Sequence, residues 1–190
     1  MDKAGQQVIE NYEKAYIRMK PVRLGQHFLM DEAIVKNIVH LARLRPGDAV
    51  IEIGGGHGEL TQPIAEKRGI KVITIEKDIE LCKNLRKKFN GFRNITVIEN
   101  DFLQMDIRTL VNEESANSDR IKVIGNLPYY ITTPILMKLF SEKDLFNRIV
   151  ITVQREVGNR MAAGPGSRTY GALSLAVKYH AEVEDVIPIG

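Results

Sequence analysis

Tryptophan is absent and cysteine occurs once, as Cys82. A single thiol cannot close an internal disulfide, so packing must hold the fold, and such a composition fits a reducing compartment; the cytoplasm is the expected location. No apolar run approaches the roughly 20 residues of a membrane-spanning helix. Residues Met1 to Lys20 are polar and charged, which does not match a secretory leader. The four histidines, at 27, 40, 57 and 180, show no metal-ligand spacing and have no cysteine partners, so no metal site is expected. Charge of one sign is also lacking. The 27 Lys and Arg against 24 Asp and Glu leave a net charge of +3, which assigns no partner by itself. Internal repeats and low-complexity tracts are missing, and 190 residues suit one α/β domain.

What is present is an alternation of two periods. Short β-branched runs read as strands at Ala49–Ile53, Lys71–Ile75, Ile95–Ile98, Lys122–Ile124 and Arg148–Val153. Their continuous apolar character suits strands buried on both faces of a parallel sheet. Helical patterns lie between them at Leu60–Lys67, Ile79–Phe89 and Pro134–Phe140, and before them at Glu32–Ala42, where Asp31 is a ready N-cap. Glu156–Ala163 and Tyr170–Lys178 read as further helices around a Gly164–Ser167 break, and Ala181–Ile187 as a sixth strand. The polar stretch Asn112–Arg120 reads as a surface loop. The pattern predicts an α/β fold with a mostly parallel, doubly wound sheet.

The first strand runs into Gly54-Gly55-Gly56-His57-Gly58-Glu59. Glycines at a strand-to-helix turn let the backbone approach a ligand closely. Glycines 54, 56 and 58 give G-x-G-x-G, whereas a dinucleotide fingerprint needs its third glycine at 59, which is glutamate. A carboxylate there opposes a pyrophosphate at the helix start. No Gly-Lys-Ser/Thr follows, which excludes a P-loop. A nucleoside without phosphates fits better. Glu76, closing the second strand, can accept both ribose hydroxyls, and Asp101, after the third, can accept an adenine amine, with Phe102 and Ile75 flanking the ring.

The fourth strand ends in Gly125-Asn126-Leu127-Pro128-Tyr129-Tyr130. The N6 amine of adenine is a poor nucleophile because its lone pair is delocalised into the ring. Acceptors on its two hydrogens favour the pyramidal, reactive state. The Asn126 side-chain oxygen and a backbone carbonyl at Leu127 or Pro128 can supply them, proline restricting the residue before it to extended geometry. Tyr129 offers a face for a flipped base.

These residues carry a family resemblance. The chain resembles the ribosomal RNA adenine N6,N6-dimethyltransferases, the small-subunit dimethyladenosine transferases. The match runs from Arg23-Leu24-Gly25-Gln26-His27-Phe28-Leu29 through Glu52-Ile53-Gly54, Glu76, Asp101 and Asn126 to Tyr129. It continues into Gln154-Arg155-Glu156-Val157 and Tyr170-Gly171, covering about residues 20 to 190. The resemblance implies a Rossmann-like class I methyltransferase fold, S-adenosylmethionine as cofactor, contacts to it at His27, Leu29, Gly54, Glu76, Asp101 and Asn126, and two adjacent dimethyladenosines near the 3′ end of small-subunit rRNA as product. Gly56 of the glycine turn and Phe102 beside the ring join the cofactor candidates, and Asn126, Leu127, Pro128 and Tyr129 are the candidate catalytic residues.

Residues 1–30 are then a basic segment and lid over cofactor and substrate, and residues 31–190 the cofactor-binding catalytic domain. The expected partner is small-subunit rRNA or the pre-ribosomal small subunit, with no membrane and a monomeric chain. His27 stands where the family commonly has asparagine. Relatives continue past Ile187-Pro188-Ile189-Gly190 into a Phe-x-Pro-x-Pro-x-Val-x-Ser segment, which supplies a second aromatic and the last, antiparallel strand, and then into a small helical domain. The expectation is a sheet without that strand, and a chain that binds cofactor but methylates poorly.

Lys20, Arg23, Arg155, Arg160 and Arg168 flank the strand-end edge in sequence and are the candidate phosphate contacts. Lys83, Arg86, Lys87 and Lys88 share one helix and read as a solvated face. Three other functions compete: a large-subunit rRNA adenine methyltransferase of the antibiotic-resistance type, an NAD-dependent oxidoreductase, and a non-catalytic RNA- or ribosome-binding factor on the same fold. Glu59 and the Asn126–Tyr129 block disfavour the second, and the retained Asn126 and Tyr129 disfavour the third.

Overall fold

The computed structural model describes residues 31–115, 118, 120–127, 130–184 and 187. Five parallel strands, β1 Ala49–Ile53, β2 Lys71–Glu76, β3 Ile95–Glu99, β4 Ile121–Asn126 and β5 Phe146–Thr152, lie in the spatial order β3-β2-β1-β4-β5. Every residue of β1 is buried, as a central strand covered on both faces must be. The helices are α1 Glu32–Leu41, α2 Thr61–Ala65, α3 Ile79–Lys88, α4 Ile107–Glu114, α5 Thr132–Ser141, α6 Arg155–Ala162 and α7 Ala172–His180.

Strand alternation divides the core in two. Val50, Val72 and Ile124 face Val35, Ile38 and Val39 of α1 and Ile64 and Ala65 of α2. Ile51, Ile53, Ile73, Ile75 and Val123 face Ile107, Leu110 and Val111 of α4 and Ile135 and Leu139 of α5. A third cluster joins Leu136, Met137 and Phe140 of α5 to Leu173 and Val177 of α7. After β3 the chain crosses back to place β4 on the other side of β1. That reversal opens a crevice at the carboxyl ends of β1 and β4, where open α/β sheets bind their ligands.

At the opposite end of the sheet, the buried Asp48 carboxylate accepts hydrogen bonds from Arg45 N–H (2.7 Å) and Arg120 Nε (2.6 Å) and pairs with Lys122 Nζ at 2.8 Å. Lys122, itself buried, also donates to the carbonyls of Ala42 and Arg43. This network ties the α1–β1 turn to β4.

Several boundaries differ from the sequence reading. The loop expected over Asn112–Arg120 begins later, because Asn112 to Glu114 close α4. Asp106 caps that helix, accepting from the Thr109 N–H at 3.1 Å, and Ile107, Leu110 and Val111 recur at helical spacing on its buried side. α5 starts at Thr132, one turn fragment before the expected Pro134, since proline is tolerated in a first turn. The sixth strand expected over Ala181–Ile187 is not found at Ala181–Glu184, which form no strand; Asp185 and Val186 lie outside the described residues. Glu184 there instead pairs with Arg43 (3.0 Å) and Arg148 (2.8 Å). Among the described residues no helix is long and apolar enough to cross a membrane, and no group of His, Cys, Asp and Glu is placed to hold a metal ion.

Candidate active site

The carboxyl edge gathers the ends of four strands. β1 turns at Gly54, whose φ of +80° belongs to the left-handed region that glycine adopts without strain. Its N–H donates to the Ile75 carbonyl at 2.8 Å, and a Cβ built there meets nothing within 4 Å, so the loop leaves an open cradle above the strand. Gly58, also left-handed (φ +86°), is the packing glycine: a Cβ would stand 2.7 Å from the Phe89 ring. A Cβ at Gly55 would overlap the Thr74 hydroxyl. One glycine faces the crevice and two press the loop onto α3 and β2.

Glu76 holds this loop from the neighbouring strand. Its Oε2 accepts from the Gly56 N–H at 3.0 Å, and Oε1 accepts from the N–H groups of Lys77 (2.8 Å) and Asp78 (2.9 Å). Three backbone donors fix the carboxylate at the edge, where its oxygens can accept further hydrogen bonds. Beyond β3, Asp101 Oδ1 accepts from the Leu103 N–H at 3.0 Å and Oδ2 pairs with Lys77 Nζ at 2.7 Å. Phe102 and Ile75, expected to flank a ring, belong to the buried core beneath Asp101, where Lys138 Nζ stands 6.0 Å from the Phe102 ring centre. Glu59, the residue that breaks the dinucleotide fingerprint, turns back to accept from the His57 N–H at 3.2 Å.

Beneath the loop lies Glu52, 1% exposed, whose Oε2 accepts from the Thr61 hydroxyl at 2.5 Å. Burial is the main cause that lifts its carboxyl from the usual 4.5 to about 7, against the lowering effect of the Thr61 bond and with help from the nearby Glu59 and Glu76 charges. A raised folded-state pKa means that this carboxyl favours the fold below about 4.5 and progressively costs stability as pH rises to about 7. Glu52→Gln keeps an acceptor for Thr61 but cannot ionise. The variant's stability relative to the wild type is expected to rise by about 2 kcal/mol between pH 5 and pH 8, read by urea denaturation. A pH-independent difference would remove the buried charge from the account.

On β4 the register places Asn126 beside Thr152 of β5, and the Asn126 carboxamide oxygen accepts from the Thr152 hydroxyl. The Leu127 N–H donates to the Thr152 carbonyl at 3.2 Å, while its side chain enters the core. Asn126 therefore stands half-buried at the edge, oriented from β5. Thr152 was not among the residues singled out, since it reads as the end of an ordinary strand. Arg155 and Arg160 are exposed on α6, directly after β5, and Arg168 is exposed in the α6–α7 connection. Lys20, Arg23, His27, Leu29, Pro128 and Tyr129 lie outside the described residues, as does the whole segment 1–30.

Gly54, Gly56, Glu76, Asp101 and Asn126 thus share one edge at the point where strand order reverses. A sequence model of the ribosomal RNA adenine dimethylases matches residues 18–189. The ribosomal RNA small subunit methyltransferase A of Halothermothrix orenii is 48% identical over 161 residues, and that of Alkaliphilus oremlandii 41% over 187. These alignments take in 85% and 98% of this chain but 53% and 63% of the relatives, so the chain spans little more than half their length. Among solved structures, a dimethyladenosine transferase from Plasmodium falciparum superposes with a TM-score of 0.68 at 30% identity, over 80% of this chain and 52% of the other. The 23S rRNA methyltransferase ErmE superposes at 0.58 and 28% identity, over 70% of this chain and 50% of its own. The parallel sheet with helices on both faces is that of the class I S-adenosylmethionine-dependent methyltransferases. By both the extent of the family match and the identity to its members, the chain belongs to the ribosomal RNA adenine dimethylase family.

Proposed function

We propose that the chain carries the cofactor and base sites of an enzyme that methylates the N6 amine of adenine in ribosomal RNA, acting in the cytoplasm on two adjacent adenines near the 3′ end of the small-subunit RNA. The observation that carries this reading is Asn126, held by Thr152 at the edge beside the glycine loop. The small-subunit target follows the names of the relatives from Halothermothrix and Alkaliphilus.

S-adenosylmethionine, the family's cofactor, supplies an electrophilic methyl group when bound. The residues present fit it: an open cradle at Gly54, a carboxylate at Glu76 for the ribose hydroxyls, and a carboxylate at Asp101 for the adenine amine. A loop with Glu59 beside it suits a ligand without phosphates. His27, Leu29 and Phe102 complete the set assigned to the cofactor.

On the substrate side, an sp² oxygen accepts two hydrogen bonds, so the Thr152 hydroxyl can hold the Asn126 carboxamide while the same oxygen receives a proton of the target amine. A carbonyl of Leu127 or Pro128 receives the other, and Tyr129 stacks on the extruded base. No strong base is required, because the amine becomes acidic as its lone pair is engaged and water takes the proton. Arg155, Arg160, Arg168 and Arg23 provide phosphate contacts, which predicts salt-dependent binding.

Calorimetric titration with S-adenosylhomocysteine and with NAD tests the cofactor side. Saturable binding of the first and none of the second is expected; the reverse would make the loop a dinucleotide site. ErmE, a 23S rRNA methyltransferase that superposes over 70% of this chain, supports a second target. Mapping of transferred methyl groups on both ribosomal subunits separates the two: label confined to the large subunit would favour it.

A further inference from the structure

The turns that lead into β2 and β3 meet the end of α3 on one surface. The Asn94 carboxamide donates to the carbonyls of Ala65 and Ile70, both at 2.9 Å, and so sets Arg93 against the turn that holds Lys67 and Arg68. Phe92 packs with Ile64 and Ala65 and stands edge-on to Phe89 at 5.6 Å, which joins that turn to Lys87 and Lys88 at the end of α3. Lys88 reaches back to the His57 carbonyl at 3.0 Å, behind the glycine loop. All five cations are exposed. We propose, on the reading that the chain acts on ribosomal RNA, that Lys67, Arg68, Lys87, Lys88 and Arg93 bind the phosphate backbone of a second RNA arm, separate from the strand that carries the target adenines.

Neighbouring cations are neutralised within the fold: Lys71 pairs with Glu114, Lys83 with Glu80 and Arg86 with Glu99. Among the described residues, Lys67, Arg68, Lys87 and Arg93 pair with no carboxylate. The carboxylates on this surface are Glu66, hydrogen-bonded by Gln62, and Glu59, turned to the His57 N–H. The patch therefore carries +3, as much as the whole chain. The end of α3 favours Lys87 and Lys88 through its dipole, but that does not account for the three cations in turns. No large apolar side chain is exposed among them, so the surface suits a phosphate backbone and not stacked bases. The six residues of β2, at about 3.3 Å each, put the Lys67–Arg68 turn about 20 Å from the carboxyl edge. Arg155, Arg160 and Arg168 follow β5, at the other margin of the sheet. RNA that touches both flanks must be folded, as it is in an assembled subunit.

Filter binding over a range of salt, with small ribosomal subunits and with a short single-stranded oligonucleotide carrying the target adenines, tests this. The variants are Lys67→Gln with Arg68→Gln, and Lys87→Gln with Arg93→Gln. Lys36→Gln with Lys143→Gln removes the same charge elsewhere as a control. Each patch variant is expected to weaken subunit binding about fivefold or more and to flatten the salt dependence by about two phosphate contacts. Binding of the oligonucleotide and of S-adenosylhomocysteine should change by less than about twofold, as should subunit binding by the control. Subunit binding equal to the wild type in both patch variants would overturn the patch and leave the proposed function standing. An equal loss in the control, or on the oligonucleotide, would also overturn it, since overall charge or the target strand would then be the cause. Loss of S-adenosylhomocysteine binding in both patch variants would make these residues part of the cofactor loop instead. If the wild type binds neither RNA, the ribosomal RNA reading itself fails and the patch falls with it.

Discussion

Asn126→Ala is expected to lower methyl transfer to ribosomal RNA by on the order of 100- to 1,000-fold, the usual effect of removing one preorganised group from a developing charge. Affinity for S-adenosylhomocysteine should change by no more than about threefold, because an acceptor used mainly as the amine pyramidalises stabilises the transition state more than the ground state. The geometry argues for this separation. Asn126 closes β4, its carboxamide is held by Thr152 from β5, and the cofactor residues Gly54, Glu76 and Asp101 sit on the three strands to the other side. Measured under single turnover with enzyme in excess, the rate reports chemistry rather than product release. A variant that loses cofactor affinity and rate in equal proportion would make Asn126 a binding residue.

Asp48→Ala is the change expected to cost most stability, about 3–5 kcal/mol, because it leaves the buried Lys122 ammonium without its carboxylate. Burial pushes the Asp48 carboxyl up, but hydrogen bonds from Lys122, Arg120 and the Arg45 N–H outweigh it and hold the carboxyl below its usual 3.8. A depressed folded-state pKa contributes stability above 3.8 that is lost as pH falls through the lower folded value. The deficit of the variant should therefore be constant near neutrality and shrink in acid. Adding Lys122→Met to Asp48→Ala removes the stranded charge and should recover most of the loss. Urea denaturation of the two variants at pH 7 decides: equal destabilisation of single and double variants would mean that the ion pair is not the source.

The parallel sheet was legible because its strands are continuous β-branched runs separated by helical patterns, and no other arrangement buries such strands on both faces. The edge of the site was legible for a related reason. Residues just past a strand, such as Gly54, Glu76 and Asn126, need only the strand's end to be placed. The burial of Ile75 and Phe102 had no such local signal, because it depends on how α4 and α5 close over that edge. α4 itself carried a signal, Asp106 followed by Ile107, Leu110 and Val111, which the polar residues after it obscured. Thr152 had none. Its place comes from cross-strand register, Asn126 beside Thr152, which no single segment encodes. Ala181–Glu184 has the composition of a strand, but its glutamate at 184 is drawn to Arg43 and Arg148.

The central claim is that this edge presents an adenine amine to S-adenosylmethionine. Single-turnover transfer from methyl-labelled cofactor to small ribosomal subunits, followed by digestion to nucleosides, tests it most directly. The label is expected in N6-methylated adenosine with the wild type and to fall by on the order of 100-fold or more with Asn126→Ala. Label in a different nucleoside, or an undiminished yield from Asn126→Ala, would contradict the account.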